Sequence, residues 1–171
     1  MAKIGQFIYP WGNGHYSRMM RLNEKLKQLG DNEFHYFSKG DIYKKLLEKF
    51  PNEKENIHEV LMPTPIDGKL GPSLTKSMLN FLLPVEENKP LVTQISSYLK
   101  NEGKLYNKIG FDLVINDGDM GSNVLAERRN ITSLFVTNQF KPKLWKSRLY
   151  FKPALEFVAK QITKASRILV A

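Results

Sequence analysis

The chain has 171 residues, 42% of them hydrophobic and 25% charged, which fits one ordinary globular domain. It contains no cysteine, so disulfides, thiolate metal ligands and a cysteine nucleophile are excluded. The formal charge of +9 favours an anionic partner such as nucleic acid, a phosphate-bearing substrate or an acidic membrane surface. The first apolar run is too short for a signal peptide, and no stretch approaches the roughly 20 apolar residues of a membrane span, so a cytoplasmic location is expected.

Strands and helices are predicted to alternate along the chain, from apolar runs and from apolar residues at helical spacing. The predicted strands cover residues 4–9, 33–38, 57–61, 111–116, 132–137 and 167–170. The predicted helices run from the first glycine loop to Gly30, over 41–50, near 122–129 and near 150–165. Strands joined by helices imply parallel pairing. The fold class is therefore α/β, with a doubly wound, Rossmann-like parallel sheet of about six strands in three α/β/α layers.

A connection at about residues 62–110 is too long to be a plain loop and is treated as an insertion. A short helix is predicted at 74–83, and a second helix, ending by Gly103, carries Leu91, Ile95, Tyr98 and Leu99 on one face. The first piece combines a basic fringe with apolar residues: Lys69, Leu70, Lys76, Met78, Leu79, Phe81, Leu82 and Leu83. Two interpretations stay open, namely core packing or a lid or membrane-facing patch.

The last predicted strand ends almost at the final residue, with no helix after it to cover that edge of the sheet. This pattern favours half of a larger protein. The alternative is a complete domain whose last strand lies at a protected edge.

Two glycine-rich loops are expected to face each other across the crevice where doubly wound sheets bind ligands. They are Gly12-Asn13-Gly14-His15 after the first strand and Asp117-Gly118-Asp119-Met120-Gly121 after the strand at 111–116. A neutral imidazole can take a proton from a hydroxyl group while a carboxylate fixes its tautomer. His15 and Asp117 are therefore the candidate base and its partner.

Other interpretations of these loops stay beside this one. His15 would be a surface residue if Asn13 only caps the helix, and Asp119 is well placed as a helix N-cap. His35 and His58 lie within predicted strands and are interpreted as structural. The loop matches the dinucleotide fingerprint only partly, because Ser17 takes the third small position, and no P-loop, zinc or serine-hydrolase motif is present.

These segments together resemble a known family. The first strand, the Gly-Asn-Gly-His loop and its helix, the run 111–117 followed by a small-residue helix, and the run 131–139 ending in Thr137-Asn138-Gln139 resemble the start of two-domain GT-B glycosyltransferases. The chain looks similar to archaeal members related to the lipid-linked enzyme of peptidoglycan synthesis and to the glucuronosyltransferases. The resemblance spans nearly the whole chain.

The resemblance implies that residues 1–171 form a single acceptor-binding domain and that the C-terminal donor domain is absent, so the chain alone should not turn over. It implies His15 as general base of an inverting transfer and Asp117 as its support. The implied substrate contacts are Gly12, Asn13, Gly14, Asp119, Asn138 and Gln139. No metal or cofactor is implied, since the nucleotide-sugar is a co-substrate held mainly by the missing domain.

The implied partners are a donor domain or separate donor-domain chain, a glycan or lipid acceptor, and an acidic membrane surface. A second basic and aromatic stretch at residues 140–151 fits the membrane, whereas nucleic acid is not expected because no recognised binding module accompanies it. Two alternatives stay open: a non-catalytic membrane-recruiting subunit of a split glycosyltransferase, and a nucleotide-binding regulatory domain.

Overall fold

The computed structural model describes residues 1–64, 66–68, 71–137 and 152–170. The helices of these residues are α1 (Asn13–Gln28), α2 (Gly40–Lys49), α3 (Leu74–Leu79), α4 (Leu91–Ile109), α5 (Met120–Glu127) and α6 (Lys152–Ile162), with a short 3₁₀ turn at Lys54–Asn56. The strands are β1 (Lys3–Ile8), β2 (Glu33–Ser38), β3 (Ile57–Glu59), β4 (Asp67–Gly68), β5 (Gly71–Pro72), β6 (Leu113–Asp117), β7 (Thr132–Thr137) and β8 (Arg167–Val170).

Six of these strands form one parallel sheet in the order β3-β2-β1-β6-β7-β8. This is the predicted doubly wound α/β/α arrangement, in which the chain starts in the middle of the sheet and builds outward in both directions. Strands β4 and β5 form a separate two-stranded hairpin in the insertion. Ile8, the last residue of β1, is aligned with Asp117, the last residue of β6. The loops after these two strands therefore start side by side.

The sheet carries a hydrophobic core on each face because successive side chains of a strand point in opposite directions. Ile4 and Ile8 of β1 pack with residues of α1 and α2, including Met19 and Leu46. Phe7 of β1 points the other way and packs with residues of α4 and α5. The three layers thus come directly from the alternation of apolar side chains along β1.

The largest difference from the predicted elements is the length of α4, which runs through Gly103 to Ile109. Gly103 is a helix-interior glycine, where an added Cβ would lie 2.9 Å from Nη2 of Arg129. The helix ends instead at Gly110, whose positive φ of 71° gives a left-handed C-cap. The prediction that the helix ends by Gly103 was wrong because this glycine permits close packing rather than a turn.

Smaller differences lie at the ends of elements. Helix α1 starts at Asn13, so most of the predicted glycine loop forms its first turn, and α3 stops at Leu79 rather than continuing to residue 83. Strand β3 ends at Glu59, two residues before its predicted end. Among the described residues, no helix has both the length and the apolar composition to cross a membrane.

Candidate functional site

His15 and Asp117 meet at the shared end of β1 and β6. The Asp117 carboxylate is fully buried, and its Oδ1 lies 2.6 Å from Nδ1 of His15, whose side chain is 24% exposed. An ionised carboxylate only accepts hydrogen bonds, so Nδ1 carries the proton of a neutral ring and Nε2 keeps its lone pair. The structure therefore brings together the two residues that the sequence predicted as base and partner.

Arg18 completes this group, and the sequence analysis did not single it out. Its Nε donates to Oδ2 of Asp117 at 2.6 Å and its Nη2 to Oδ1 at 2.7 Å, a bidentate ion pair. The hydrogen bond to Asp117 raises the pKa of Arg18 above its ordinary value. Arg18 stands three residues after His15, on the same face of α1. That spacing is the signal that would have pointed to it.

Asp119 has a different set of partners. It is the N-cap of α5, and its carboxylate accepts from the backbone N–H groups of Gly121 and Ser122 at 3.2 and 3.0 Å. The hydroxyl group of Tyr98 donates to the same carboxylate at 2.6 Å. Burial raises the pKa of Asp119. The described contacts of Asp119 are thus those of a helix cap, and the residue also lines the larger groove described below.

The glycine loop borders a small pocket of about 330 Å³ lined by Trp11, Gly12, Gly14, His15 and Arg18. A Cβ added at Gly12 or Gly14 would meet no atom within 4 Å, so the space beside the backbone is open at both predicted substrate contacts.

Asn13 has no role in this pocket among the contacts seen. Gly12, not Asn13, is the N-cap of α1. The Asn13 Oδ1 accepts a hydrogen bond from Nζ of Lys45 on α2 at 2.5 Å. The interpretation of Asn13 as a helix cap was therefore wrong. Asn138 and Gln139 lie outside the described residues, as does the basic and aromatic stretch at 140–151.

A second, larger groove of about 1090 Å³ lies between the insertion and helices α4, α5 and α6. Its apolar wall includes Leu79, Leu82 and Leu83, whose exposed fractions are 54%, 68% and 59%. These three leucines are not part of the core, so the core-packing interpretation of this segment does not hold for them. The groove was missed because its walls come from segments far apart in the sequence.

Tyr9 and Gly118 line the groove, and they also lie next to His15. The ring of Tyr9 lies edge-on to the imidazole of His15, with ring centroids 5.6 Å apart. A Cβ at Gly118 would lie 2.9 Å from Cβ of Tyr9 and 3.1 Å from Cε1 of His15. Only a glycine at this position lets the three residues pack so closely.

The other two histidines lie in β2 and β3, on the opposite side of β1 from β6. Nδ1 of His35 is 3.2 Å from Nε2 of His58, and Nε2 of His35 is 2.8 Å from the carboxylate of Glu33. Burial, with the neighbouring charges of His35 and Lys108, lowers the pKa of His58 to about 4. No group of His, Asp and Glu side chains suited to a metal ion occurs in the described part of the chain.

No protein-family model matches the chain, and no curated protein sequence is similar enough to count as a relative. Solved structures do match. MurG of Acinetobacter baumannii has a TM-score of 0.62 and 13% identity over 100% of this chain and 41% of that protein. A UDP-N-acetylglucosamine 2-epimerase has a TM-score of 0.62 and 14% identity over 99% of this chain and 41% of its own.

SsfS6, a glycosyltransferase of Streptomyces sp. SF2575, matches with a TM-score of 0.52 and 13% identity over 96% of this chain and 46% of its own. The chain thus spans less than half of each of these proteins. At such identities the matches establish the fold, which supports the GT-B type expected from the sequence. A transferase and an epimerase share this fold, so the reaction has to be argued from the site.

Proposed function

We propose that the chain is the acceptor-binding half of an inverting glycosyltransferase, with His15 as the general base. The observation that carries this proposal is the 2.6 Å hydrogen bond between His15 and the buried Asp117. It lies where the chain switches direction in the sheet, the usual ligand site of such folds. The imidazole is also partly exposed, as a base that meets an acceptor must be.

The proposed step uses Nε2 of His15. It takes the proton of an acceptor hydroxyl group while that oxygen bonds to the anomeric carbon of a nucleotide-sugar and the bond to the nucleoside diphosphate breaks. Attack opposite the leaving group inverts the anomeric centre. Asp117 keeps the ring oriented through Nδ1. The donor would be held by a second domain or a separate chain, because the structures matched here are more than twice as long.

The larger groove supports an acceptor with an extended apolar part. Most of its lining residues are apolar, five leucines and four aromatic residues among them. The groove also reaches Tyr9 and Gly118, which contact or face His15. A hydroxyl group at the end of an apolar molecule in this groove would therefore lie near the base. A lipid-like acceptor fits this lining better than a bare glycan does.

The same groove favours sugar transfer over epimerisation as the proposed reaction. An epimerisation has one substrate, so it requires no acceptor site beside the base. The two alternatives from the sequence make different demands: a regulatory domain would bind the nucleotide itself, and a membrane-recruiting subunit would bind lipid surfaces without using the His15 pair.

An NMR titration of the chain with three probes distinguishes these functions. The probes are dodecyl β-D-maltoside below its micelle concentration, UDP-N-acetylglucosamine, and vesicles with anionic lipid. We expect the monomeric amphiphile to shift the amide signals of Tyr9, Leu79 and Gly118, and the nucleotide-sugar alone to shift none of them. Binding of the nucleotide-sugar without the amphiphile would favour the regulatory domain, and binding of vesicles alone would favour the recruiting subunit.

Catalysis is tested once the donor-binding part is supplied, either in one longer polypeptide or as a separate chain. His15→Gln is expected to lower the rate of sugar transfer by about 10²–10⁴-fold, the usual contribution of a positioned base. His58→Gln is the matched control, since it removes a histidine from β3, two strands away from β1, and should leave the rate unchanged. Equal rates in the two variants would reject His15 as the base.

A further inference from the structure

We propose that Arg18 is a positioning residue that fixes which ring nitrogen of His15 faces the substrate. This inference rests on the proposed function, because it assigns Arg18 a role in the same base. It concerns the state of the ring before any substrate binds. That state can be measured without knowing the sugar or the acceptor.

The first part of the argument is geometric. Arg18 donates to both oxygens of Asp117, from Nε to Oδ2 and from Nη2 to Oδ1. Oδ1 is the atom that also contacts Nδ1 of His15. Rotation of the buried carboxylate would break the two bonds from the guanidinium together. The fork of Arg18 therefore fixes the direction in which Oδ1 meets the imidazole.

The second part concerns the ring nitrogen that is left for a substrate. Nη2 of Arg18 lies only 3.5 Å from Nδ1 of His15, and it donates to Oδ1 of Asp117 at 2.7 Å. Nδ1 therefore faces the ion pair, and Nε2 is the ring nitrogen that can take a proton from an acceptor hydroxyl group.

Both groups approach the ring at Nδ1, Asp117 from β6 and Arg18 from α1, while Tyr9 packs against it in a T-shaped contact. The carboxylate orients the ring, and the guanidinium holds the carboxylate in place. Because Arg18 and His15 are three residues apart on α1, one turn of helix supplies both.

The test reads the protonation of the two His15 ring nitrogens by long-range proton–nitrogen NMR, at one fixed pH near neutrality. In the unmodified chain we expect the neutral form of the ring to carry its proton on Nδ1. In Arg18→Gln, where the fork no longer holds the carboxylate, we expect the ratio of the Nε2-protonated to the Nδ1-protonated form to rise by about tenfold or more. Arg21→Gln is the matched control, because it removes the same charge from an exposed position of the same helix.

Arg18→Lys separates charge from geometry and also serves if the glutamine variant does not fold, which the amide spectrum shows. A lysine keeps the positive charge but cannot hold both oxygens, so we expect both tautomers of the ring to be populated. A proton on Nε2 in the unmodified chain would overturn the proposal, as would a ring in both Arg18 variants that matches the unmodified one. This measurement uses no substrate, so its result does not depend on whether the protein transfers sugar.

Discussion

Asp117, the last residue of β6, and Asp119 stand two residues apart. Both are almost completely buried, at 0% and 4% exposure, yet they have opposite surroundings. Asp117 contacts two basic side chains, His15 and Arg18. Asp119 contacts neutral donors, namely backbone N–H groups and the hydroxyl of Tyr98. Two aspartates that are close in the sequence therefore differ in the kind of group that they bind.

The difference teaches that burial alone does not mark a functional carboxylate. Asp117 reaches a partly exposed group through His15, so a change in its orientation is transmitted to the pocket. Asp119 stabilises the first turn of α5 and fixes Tyr98 of α4, so a change in it should act on stability. Substitutions at and around the two positions test this division.

The largest effect is expected from Asp117→Ala. It removes the carboxylate that accepts two hydrogen bonds from the guanidinium of Arg18, whose side chain is only 22% exposed, and we expect a loss of about 3–4 kcal/mol in the free energy of unfolding. Urea denaturation measures it. The double variant Asp117→Leu with Arg18→Met should recover most of that loss, because it removes both charges and keeps the volume. A single-variant loss below about 1 kcal/mol would contradict a buried ion pair.

Asp119→Ala is expected to cost about 2–3 kcal/mol in the same measurement. It removes the helix cap, worth about 1 kcal/mol, and leaves the buried Tyr98 hydroxyl without its acceptor, at about 1–2 kcal/mol. Asp119→Ser is the control, because serine retains an oxygen for capping and should recover about 1 kcal/mol. The tautomer of His15 should stay unchanged in both variants. A changed tautomer would mean that the two carboxylates are coupled.

The two carboxylates also show how far the sequence reaches. The sheet order, the bounds of β2, β7 and β8, and the cap role of Asp119 depend on local patterns: apolar runs, alternation and an acidic residue ahead of a helix. The meeting of His15 with Asp117 followed from the general topology of doubly wound sheets. All of these could be predicted without coordinates.

The role of Arg18 could not be predicted from the sequence, because its bidentate contact joins residues that are 99 positions apart. On sequence grounds it was one of several basic residues on α1. The continuation of α4 through Gly103 was hidden for the same reason, since the signal for it lies in Arg129. Features that depend on long-range packing between particular side chains are the ones that the sequence pattern left open.

Glu102 of α4 is a third buried carboxyl group, and like Asp119 it has no basic partner among the contacts of the described residues. Burial, and then the charge of Asp119, raises the pKa of Glu102 to about 7, and its Oε2 has no partner within the described residues. Between the ordinary value of 4.5 and about 7, the folded protein keeps a proton that the unfolded chain has lost. The free energy of unfolding therefore falls as the pH rises through this window.

Glu102→Gln should remove that dependence, making the variant more stable than the unmodified chain by about 2 kcal/mol above pH 7, with little difference below pH 4.5. Urea denaturation over this pH range checks it. Glu127→Gln is the control, since that residue is exposed at the end of α5 and should leave the curve unchanged. Parallel curves for Glu102→Gln and the unmodified chain would show that Glu102 is ionised in the fold without cost.

The smallest effect is expected from Gly118→Ala, at the residue between the two carboxylates. Gly118 has a φ of +89° and Gly12 a φ of +76°, so alanine at either position should cost about 1–2 kcal/mol in backbone strain. Only at Gly118 would the new methyl group meet Tyr9 and His15. Gly118→Ala should therefore also alter the ring signals of His15, whereas Gly12→Ala should show the strain alone. Equal losses with unchanged His15 signals would mean that Gly118 is needed only to turn the chain from β6 into α5, and that the close packing against the imidazole contributes nothing to its position.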